Sequence, residues 1–253
     1  MIKDKELPIQ LTAGTLDEIS WKAVDPSIYN HRTGTAVFRM SLEKFTAVQV
    51  ENFFRQITHE EQDKANRYIK ASDRKRYILT HYYLRQLLSQ YTQIAPLDLA
   101  IEKGKHDKPF LASHPDLCFN LSHSHEFVVF AIAFAPHQTI GVDIEKIDLK
   151  IDYPVIIDNY FTKTEQTQIH DPATFFLLWT RKEALLKAAG SGLTQGILDL
   201  TVLDGTQDVS TADPELESLS SGQWRIYSFE FAPEYFCSVA KALEDVEFCF
   251  YEI

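Results

Sequence analysis

Cysteine is scarce in this 253-residue chain: Cys118, Cys237 and Cys249 are the whole set, and no two of them form a C-x-x-C pair. An odd trio gives no disulfide framework, so the expectation is a protein of the reducing cytoplasm. Long apolar runs are also missing. The longest, residues 127–135, is too short to cross a bilayer. The first residues, Met1-Ile2-Lys3-Asp4-Lys5-Glu6, mix charge signs and lack the apolar stretch of a signal peptide. Basic charge is in deficit: 25 Lys and Arg against 36 Asp and Glu leave −11, which argues against a general nucleic-acid coat. No Walker loop, G-x-G-x-x-G or G-x-S-x-G is present, so a P-loop, a dinucleotide fingerprint and a nucleophile elbow are excluded. No fixed-period repeat or low-complexity segment is visible.

What is present is ordinary globular material, 45% hydrophobic and 24% charged, long enough for one large domain or two of common size. Strands are predicted at residues 36–40, 97–103, 117–121, 127–134 and 139–147, and near 223–231, 235–241 and 246–251. Residues 127–134 are apolar on both faces, the mark of an interior strand. Thr58-His59-Glu60-Glu61 has capping-box form and predicts a helix to about Lys70. Ser72 is placed to cap a second helix, 73 to about 91. Thr162-Lys163-Thr164-Glu165 is another capping-box candidate, and Asp171-Pro172 opens a helix that should stop at Gly190. Residues 135–138 read as a turn and the polar stretch 204–222 as an exposed loop. Helices and strands recur in similar proportion on either side of that turn, which suggests two α+β halves, 1–136 and 137–253.

Charge is concentrated as well as deficient. Lys64, Arg67, Lys70, Arg74, Lys75, Arg76 and Arg85 face one acid, Asp73, so residues 64–85 carry +6 on an otherwise acidic chain. Such a stretch is either an anion site or a solvated helix face. In Gly141-Val142-Asp143-Ile144-Glu145, strand alternation puts Asp143 and Glu145 on one face, about 7 Å apart, with Val142 and Ile144 toward the core. Two such carboxylates suit magnesium, which completes its shell with water and substrate phosphate. The plain alternative is a half-exposed strand with its acids in water. Trp179, Glu183 and Lys187 stand at i, i+4 and i+8 and share a helix face. A surface Glu183–Lys187 pair would explain two of them. The bulk of Trp179 instead turns that face toward the core, where a Glu or Lys can be tuned for proton transfer. Asn120-Leu121-Ser122-His123-Ser124-His125 should leave a strand and begin a turn whose N–H groups, hydroxyl and imidazole form a small anion site. Plain turn residues are the competing reading. Together these features suit a diphosphate substrate.

In this order the blocks resemble the Sfp-type 4′-phosphopantetheinyl transferases. The blocks are Arg67-Tyr68, Asp73-Arg74-Lys75-Arg76-Tyr77, Lys108-Pro109-Phe110, Phe119 to His123, Gly141 to Glu145, Phe161-Thr162-Lys163-Thr164-Glu165, and Trp179 to Lys187 with Gly190 and Gly192-Leu193. They cover residues 64–193, half the chain. The resemblance implies an α+β fold, a pseudo-twofold pair of similar halves with the active site in the cleft between them. It implies an enzyme that moves the phosphopantetheine arm of coenzyme A to a serine of an acyl or peptidyl carrier protein, releases 3′,5′-ADP and requires magnesium. It implies Asp143 and Glu145 as metal ligands, Glu183 as third ligand or base, and Lys187 as the group that neutralises or protonates the leaving phosphate. It further implies Ser122, His123 and Lys108 on the phosphates of coenzyme A, with Lys64 and Arg76 near its 3′-phosphate and adenosine end. Three positions stand out. Asp107 replaces a Gly frequent before Lys-Pro, and Glu61 replaces a common basic residue. Glu165 matches a family glutamate but already has a complete role in its capping box.

Two other readings stay open: a magnesium-dependent phosphohydrolase of nucleotides or coenzyme A, and a non-catalytic carrier-protein-binding module. The joint presence of Asp143, Glu145, Glu183 and Lys187 argues against the second. The expected partners are coenzyme A and an apo carrier protein, with no nucleic acid and no membrane. Two halves in one chain make a monomer the simpler expectation. Carriers of this kind are acidic, so the basic segment is the expected approach, with Arg74 and Lys75 as its test positions.

Overall fold

In a computed structural model, which describes residues 7–24, 34–134, 139–242 and 247–253, the chain builds two five-stranded sheets. One has the order β2 (Trp21–Ala23), β12 (Phe248–Glu252), β3 (Thr35–Ser41), β7 (Phe127–Phe134), β6 (Leu117–Ser124). The other has the order β8 (Ile140–Lys146), β11 (Tyr235–Ala242), β10 (Gln223–Ala232), β1 (Leu7–Thr15), β9 (Gly205–Thr211). A hairpin, β4 (Ile101–Lys103) and β5 (Pro109–Leu111), stands apart. Helices α1 (Ala47–Phe54), α2 (His59–Ala65) and α3 (Ala71–Thr92) lie between β3 and β4, and α4 (Tyr153–Tyr160), α5 (Lys163–Gln166) and α6 (Pro172–Ala189) between β8 and β9. The turn expected at 135–138 lies outside the described residues.

Alternation along the strands decides the layering. Val37, Val129, Ala131, Val142, Ile144 and Val239 meet between the sheets. On the opposite face of the first sheet Phe38, Met40 and Phe130 pack with Leu84, Leu87 and Leu88 of α3. On the outer face of the second, Leu11, Trp224 and Ile226 pack with Phe175, Leu178 and Leu185 of α6. The result is helix, sheet, sheet, helix, with β7 apolar on both faces as expected of an interior strand.

The two halves repeat one plan. The strand β3, three helices, then β6 and β7 correspond to β8, three helices, then β10 and β11, and each strand triplet is ordered first, third, second in its sheet. Both capping boxes fall on the middle helix: Thr58 with Glu61 on α2, Thr162 with Glu165 on α5. Each glutamate is buried and is also held by a base from the long helix that follows, Arg85 at 2.9 Å from Glu61 and Lys182 at 2.8 Å from Glu165. The glutamine after each also repeats its bond, Gln62 donating to Ile57 O and Gln166 to Phe161 O, but such matches are confined to a few residues, so no fixed period is visible in the sequence. The terminal strands are exchanged: β1 runs parallel beside β10 and β12 parallel beside β3.

Several boundaries differ from expectation for local reasons. α2 stops at Ala65 rather than near Lys70, with the Asn66 N–H closing on the Gln62 and Lys64 carbonyls. α3 starts at Ala71 after an extended Lys70, so Ser72 lies inside the first turn and not at the cap. Pro96 opens a tight 3-10 turn, which leaves 101–103 alone as strand. The stretch 204–222 is not a loop: β9 pairs with β1, and a 3-10 helix over Pro214–Ser221 buries Leu216 and Leu219. β9 is an edge strand with a solvated row, so its sequence is polar. α1 and α4, eight residues each, are too short for helical periodicity to stand out. Among the described residues no helix is long and apolar enough to cross a membrane.

Candidate active site

Gly141 is a glycine because α6 passes directly over it. A Cβ there would meet the Ala184 carbonyl oxygen about 1 Å inside the 3.0 Å that real Cβ contacts respect, and would crowd Ala188 N as well. This approach brings Asp143 and Glu145 of β8 into one cleft with Trp179, Glu183 and Lys187 of α6. α6 is held at both ends: Asp171 accepts the Thr174 N–H at 2.9 Å, and Gly190 ends the helix at φ 70°.

The facing wall is β6. The turn expected after Leu121 is corrected here: the strand continues to Ser124, and the chain turns at His125, which takes φ 49°. Asn120, Ser122 and Ser124 therefore alternate onto one buried face, while His123 is exposed. β6 and β8 are edges of different sheets and share no ladder. Side chains join them instead. The Val142 N–H donates to Asn120 Oδ1 at 2.9 Å, and Ser122 Oγ donates to Asp143 Oδ1 at 2.9 Å. Ser124 Oγ accepts the Lys146 N–H at 3.1 Å and donates to Glu145 Oε2 at 3.0 Å.

The cleft has a volume of about 380 Å³ and is lined by Leu121, Ser122, His123, Asp143, Glu145, Trp179, Glu183 and Lys187. Lys187 turns to β8: its Nζ lies 2.6 Å from Asp143 Oδ1 and 2.8 Å from Ser122 Oγ. Asp143 is 3% exposed, and its Oδ2 is buried with no hydrogen-bond partner among the described residues. Burial, then the Asp143 charge, pushes Glu145 up to about 7 against the pull of Ser124 and Lys187. Burial and Asp143 likewise push Glu183 up to about 7. The surrounding protein and the Arg76 charge hold the His123 imidazole below its ordinary value.

Three acids around one lysine are a hard-oxygen donor set, and Asp143 Oδ2 is unclaimed, so the chemistry fits a divalent cation. Among the described residues no three His, Cys, Asp or Glu groups stand in ligating geometry. Magnesium takes one or two carboxylates and fills its shell with water and phosphate, so Asp143 and Glu145 would be enough protein ligands for it.

Lys64, Arg76 and Lys108 stand outside this lining. Lys108 Nζ donates to Ile140 O at 3.2 Å and Ala188 O at 2.8 Å, and its burial lowers it to about 8. It borders a second, mostly apolar cavity of about 220 Å³ with Phe110 and Cys118. Arg76 pairs with Asp73 at 2.9 Å, and the Lys64 ammonium lies over the Tyr77 ring. Asp107 takes φ 60°, a left-handed conformation that glycine adopts freely and Asp tolerates, so the loop keeps a glycine-like turn. Glu165 is fully buried, with its oxygens held by Thr162 N, Val202 N and Lys182. Within the basic segment Arg74 pairs with Glu51, Lys75 donates to Phe45 O and Arg85 is buried on Glu61. Lys64, Arg67 and Lys70 are its exposed remainder. Asn120 and Ser124 belong to the stretch read as a turn and were given no role of their own; that they share the buried face of Ser122 follows only once β6 is extended past Leu121.

Fold and cleft define a class: an α+β enzyme of two similar halves with an acid–lysine cleft at their seam. Comparison with known proteins supplies the family. A family model described as 4′-phosphopantetheinyl transferase superfamily matches residues 139–240, and one described as 4′-phosphopantetheinyl transferase, N-terminal, matches 45–135. The chain is 30% identical to the 4′-phosphopantetheinyl transferase Sfp of Bacillus subtilis, over 77% of this chain and 86% of that protein. It is 35% identical to the 4′-phosphopantetheinyl transferase gsp of Aneurinibacillus migulanus, over 54% of this chain and 57% of that protein. Identity to the transferase psf-1 of Bacillus pumilus is 30%, over 63% and 69%. The chain belongs to the 4′-phosphopantetheinyl transferase family. It is a transferase of phosphopantetheine to carrier proteins, a class that implies coenzyme A as donor, and the phosphohydrolase and non-catalytic readings find no support.

Proposed function

We propose that this cleft transfers the phosphopantetheine arm of coenzyme A to a serine of an acyl or peptidyl carrier protein, with magnesium on Asp143 and Glu145 and with Glu183 as base. The observation that supports this reading is the convergence of three acids and one lysine, two of the acids poised at about 7. Magnesium, when bound, would offset the charge of the coenzyme A diphosphate. A serine hydroxyl is a poor nucleophile near neutral pH. Glu183, which faces the cleft from α6, takes its proton as the oxygen attacks the β-phosphorus. A phosphorus–oxygen bond forms there, the bond to the bridging oxygen breaks, and its electron pair leaves with 3′,5′-ADP. The Lys187 ammonium neutralises or protonates that leaving phosphate. Ser122, His123 and Lys108 serve the phosphates of coenzyme A, and Lys64 and Arg76 its 3′-phosphate end. Residues 1–136 are then the coenzyme A side, and 137–253 the metal and catalytic side. A monomer is the simplest setting, because one chain supplies both walls of the cleft, and the scarcity of cysteine suits the cytoplasm.

The test is incubation with coenzyme A, magnesium and a panel of apo carriers of fatty-acid, polyketide and nonribosomal-peptide type, followed by weighing the carrier. A mass gain of one phosphopantetheine arm is expected on at least one of them. No gain on any would overturn the reading. Asp143→Ala and Glu183→Ala should lose transfer while remaining folded, and full activity in either would contradict its role.

A further inference from the structure

We propose that Ser124 is a positioning residue that sets Glu145 in the cleft without touching substrate. The inference rests on the magnesium reading of the cleft given above. Ser124 is 6% exposed and is not among the residues that line the cleft. Its hydroxyl has three neighbours: the Lys146 N–H donates to it at 3.1 Å, it donates to Glu145 Oε2 at 3.0 Å, and His125 Nδ1 stands 3.3 Å away, where it can only donate while the hydroxyl proton is on Glu145. The first contact is anchored in backbone, so the hydroxyl oxygen cannot follow a moving side chain. Its proton then fixes one oxygen of Glu145, a residue that lines the cleft.

The location strengthens the case. No backbone ladder joins β6 to β8, so the position of the β8 acids relative to the β6 wall depends on side chains. Asn120 holds the Val142 N–H at 2.9 Å, and Ser124 holds the Lys146 N–H four residues further on. Asp143 and Glu145 lie between these two clamps. Asn120 touches only backbone in this pairing, whereas Ser124 also touches a carboxylate. That difference separates a residue that merely closes the seam from one that orients a ligand.

Manganese, as a magnesium substitute, titrated calorimetrically into the purified protein provides the test. Second-sphere hydrogen bonds to ligating carboxylates are worth about tenfold or more in metal affinity, so Ser124→Ala should bind manganese about tenfold more weakly. Ser124→Thr, which keeps the hydroxyl, should restore most of that affinity. Asn120→Ala should lower the unfolding midpoint and leave manganese affinity near the wild-type value. In transfer assays the Ser124→Ala defect should be largest at limiting magnesium and shrink as magnesium is raised, with KM for coenzyme A unchanged. Should Ser124→Ala be too unstable to titrate, Ser124→Cys keeps the size with a poor donor and carries the same expectation. Wild-type affinity in Ser124→Ala or Ser124→Cys, a loss in Ser124→Thr as large as in Ser124→Ala, or an equal loss in Asn120→Ala, overturns the positioning role alone. A wild-type protein that binds no manganese overturns the metal reading and this inference with it.

Discussion

Adding one methyl group at Gly141 should separate the two elements that form the cleft. The new Cβ would press on the Ala184 carbonyl and on Ala188 N. Both are backbone atoms inside α6, so no change of rotamer relieves the contact. β8 and α6 must part by about 1 Å to bring it to 3.0 Å. Asp143 and Glu145 ride on β8 while Glu183 and Lys187 ride on α6, so every distance across the cleft changes, including the 2.6 Å Lys187–Asp143 contact. A misplacement of about 1 Å costs on the order of 100-fold in rate. The overpacking itself costs about 1–3 kcal/mol, and each kcal/mol lowers Tm by roughly 2–4 °C in a chain of this size. The assay is transfer to an apo carrier, followed by mass, beside thermal melting by circular dichroism. Gly14→Ala on β1 is the control, because nothing lies within 4 Å of its Cβ, and it should change neither result. A Gly141→Ala protein that melts with the wild type and transfers at full rate would refute close packing as the reason for this glycine.

Lys187→Ala removes the cation nearest Asp143 and should lower kcat about 100-fold or more with the fold retained, measured by carrier mass and circular dichroism. Burial raises the Glu61 carboxyl, but bonds from His81, Arg85 and the Thr58 N–H outweigh it and hold it at about 2 against 4.5. The folded value lies below the unfolded one, so this stabilisation, about 3 kcal/mol, is complete above pH 4.5 and is lost as pH falls through 2. Urea midpoints should therefore fall more steeply with acid in the wild type than in Glu61→Gln, and equal slopes would contradict it. Glu165→Ala strands the buried Lys182 and should cost about 3–5 kcal/mol by urea unfolding. A folded Glu165→Gln should still transfer, whereas a folded variant without transfer would put Glu165 in the chemistry. Arg67→Glu and Lys70→Glu should slow association with an acidic carrier more at low salt than at high salt by stopped flow, and an equal effect would leave both as plain surface charges.

Much of the cleft was legible in advance because its chemistry lies in short local patterns. The alternation of β8 aligned Asp143 with Glu145, and helical spacing aligned Trp179, Glu183 and Lys187 on the face that reaches the cleft. Other readings failed where a residue's partner lies far along the chain. Arg74 and Lys75 were read as approach charges for an acidic carrier, and nothing near them in sequence announces that Glu51 and Phe45 O engage them. Ser122 and His123 looked like a turn, because nothing near them announces that β6 continues against an edge of another sheet. β9 looked like a loop, because its polar row is the solvated side of an edge strand whose partner is β1.

Residue type and spacing within a few positions determined the caps at Thr58 and Thr162, the start and stop of α6, and the alignment of Asp143 with Glu145 and of Trp179 with Glu183 and Lys187. Each of those features closes within one or two turns or along one strand, so the local chain suffices to specify it. The tertiary structure alone decided that β6 meets β8, that β1 and β12 cross to the opposite sheets, and that Lys187 pairs with Asp143 rather than with Glu183. The physical reason is separation: Ser124 and the Lys146 N–H are 22 residues apart, and Lys187 and Asp143 are 44. Register between two sheet edges is set by packing the cores on both sides of them, and no local periodicity encodes it.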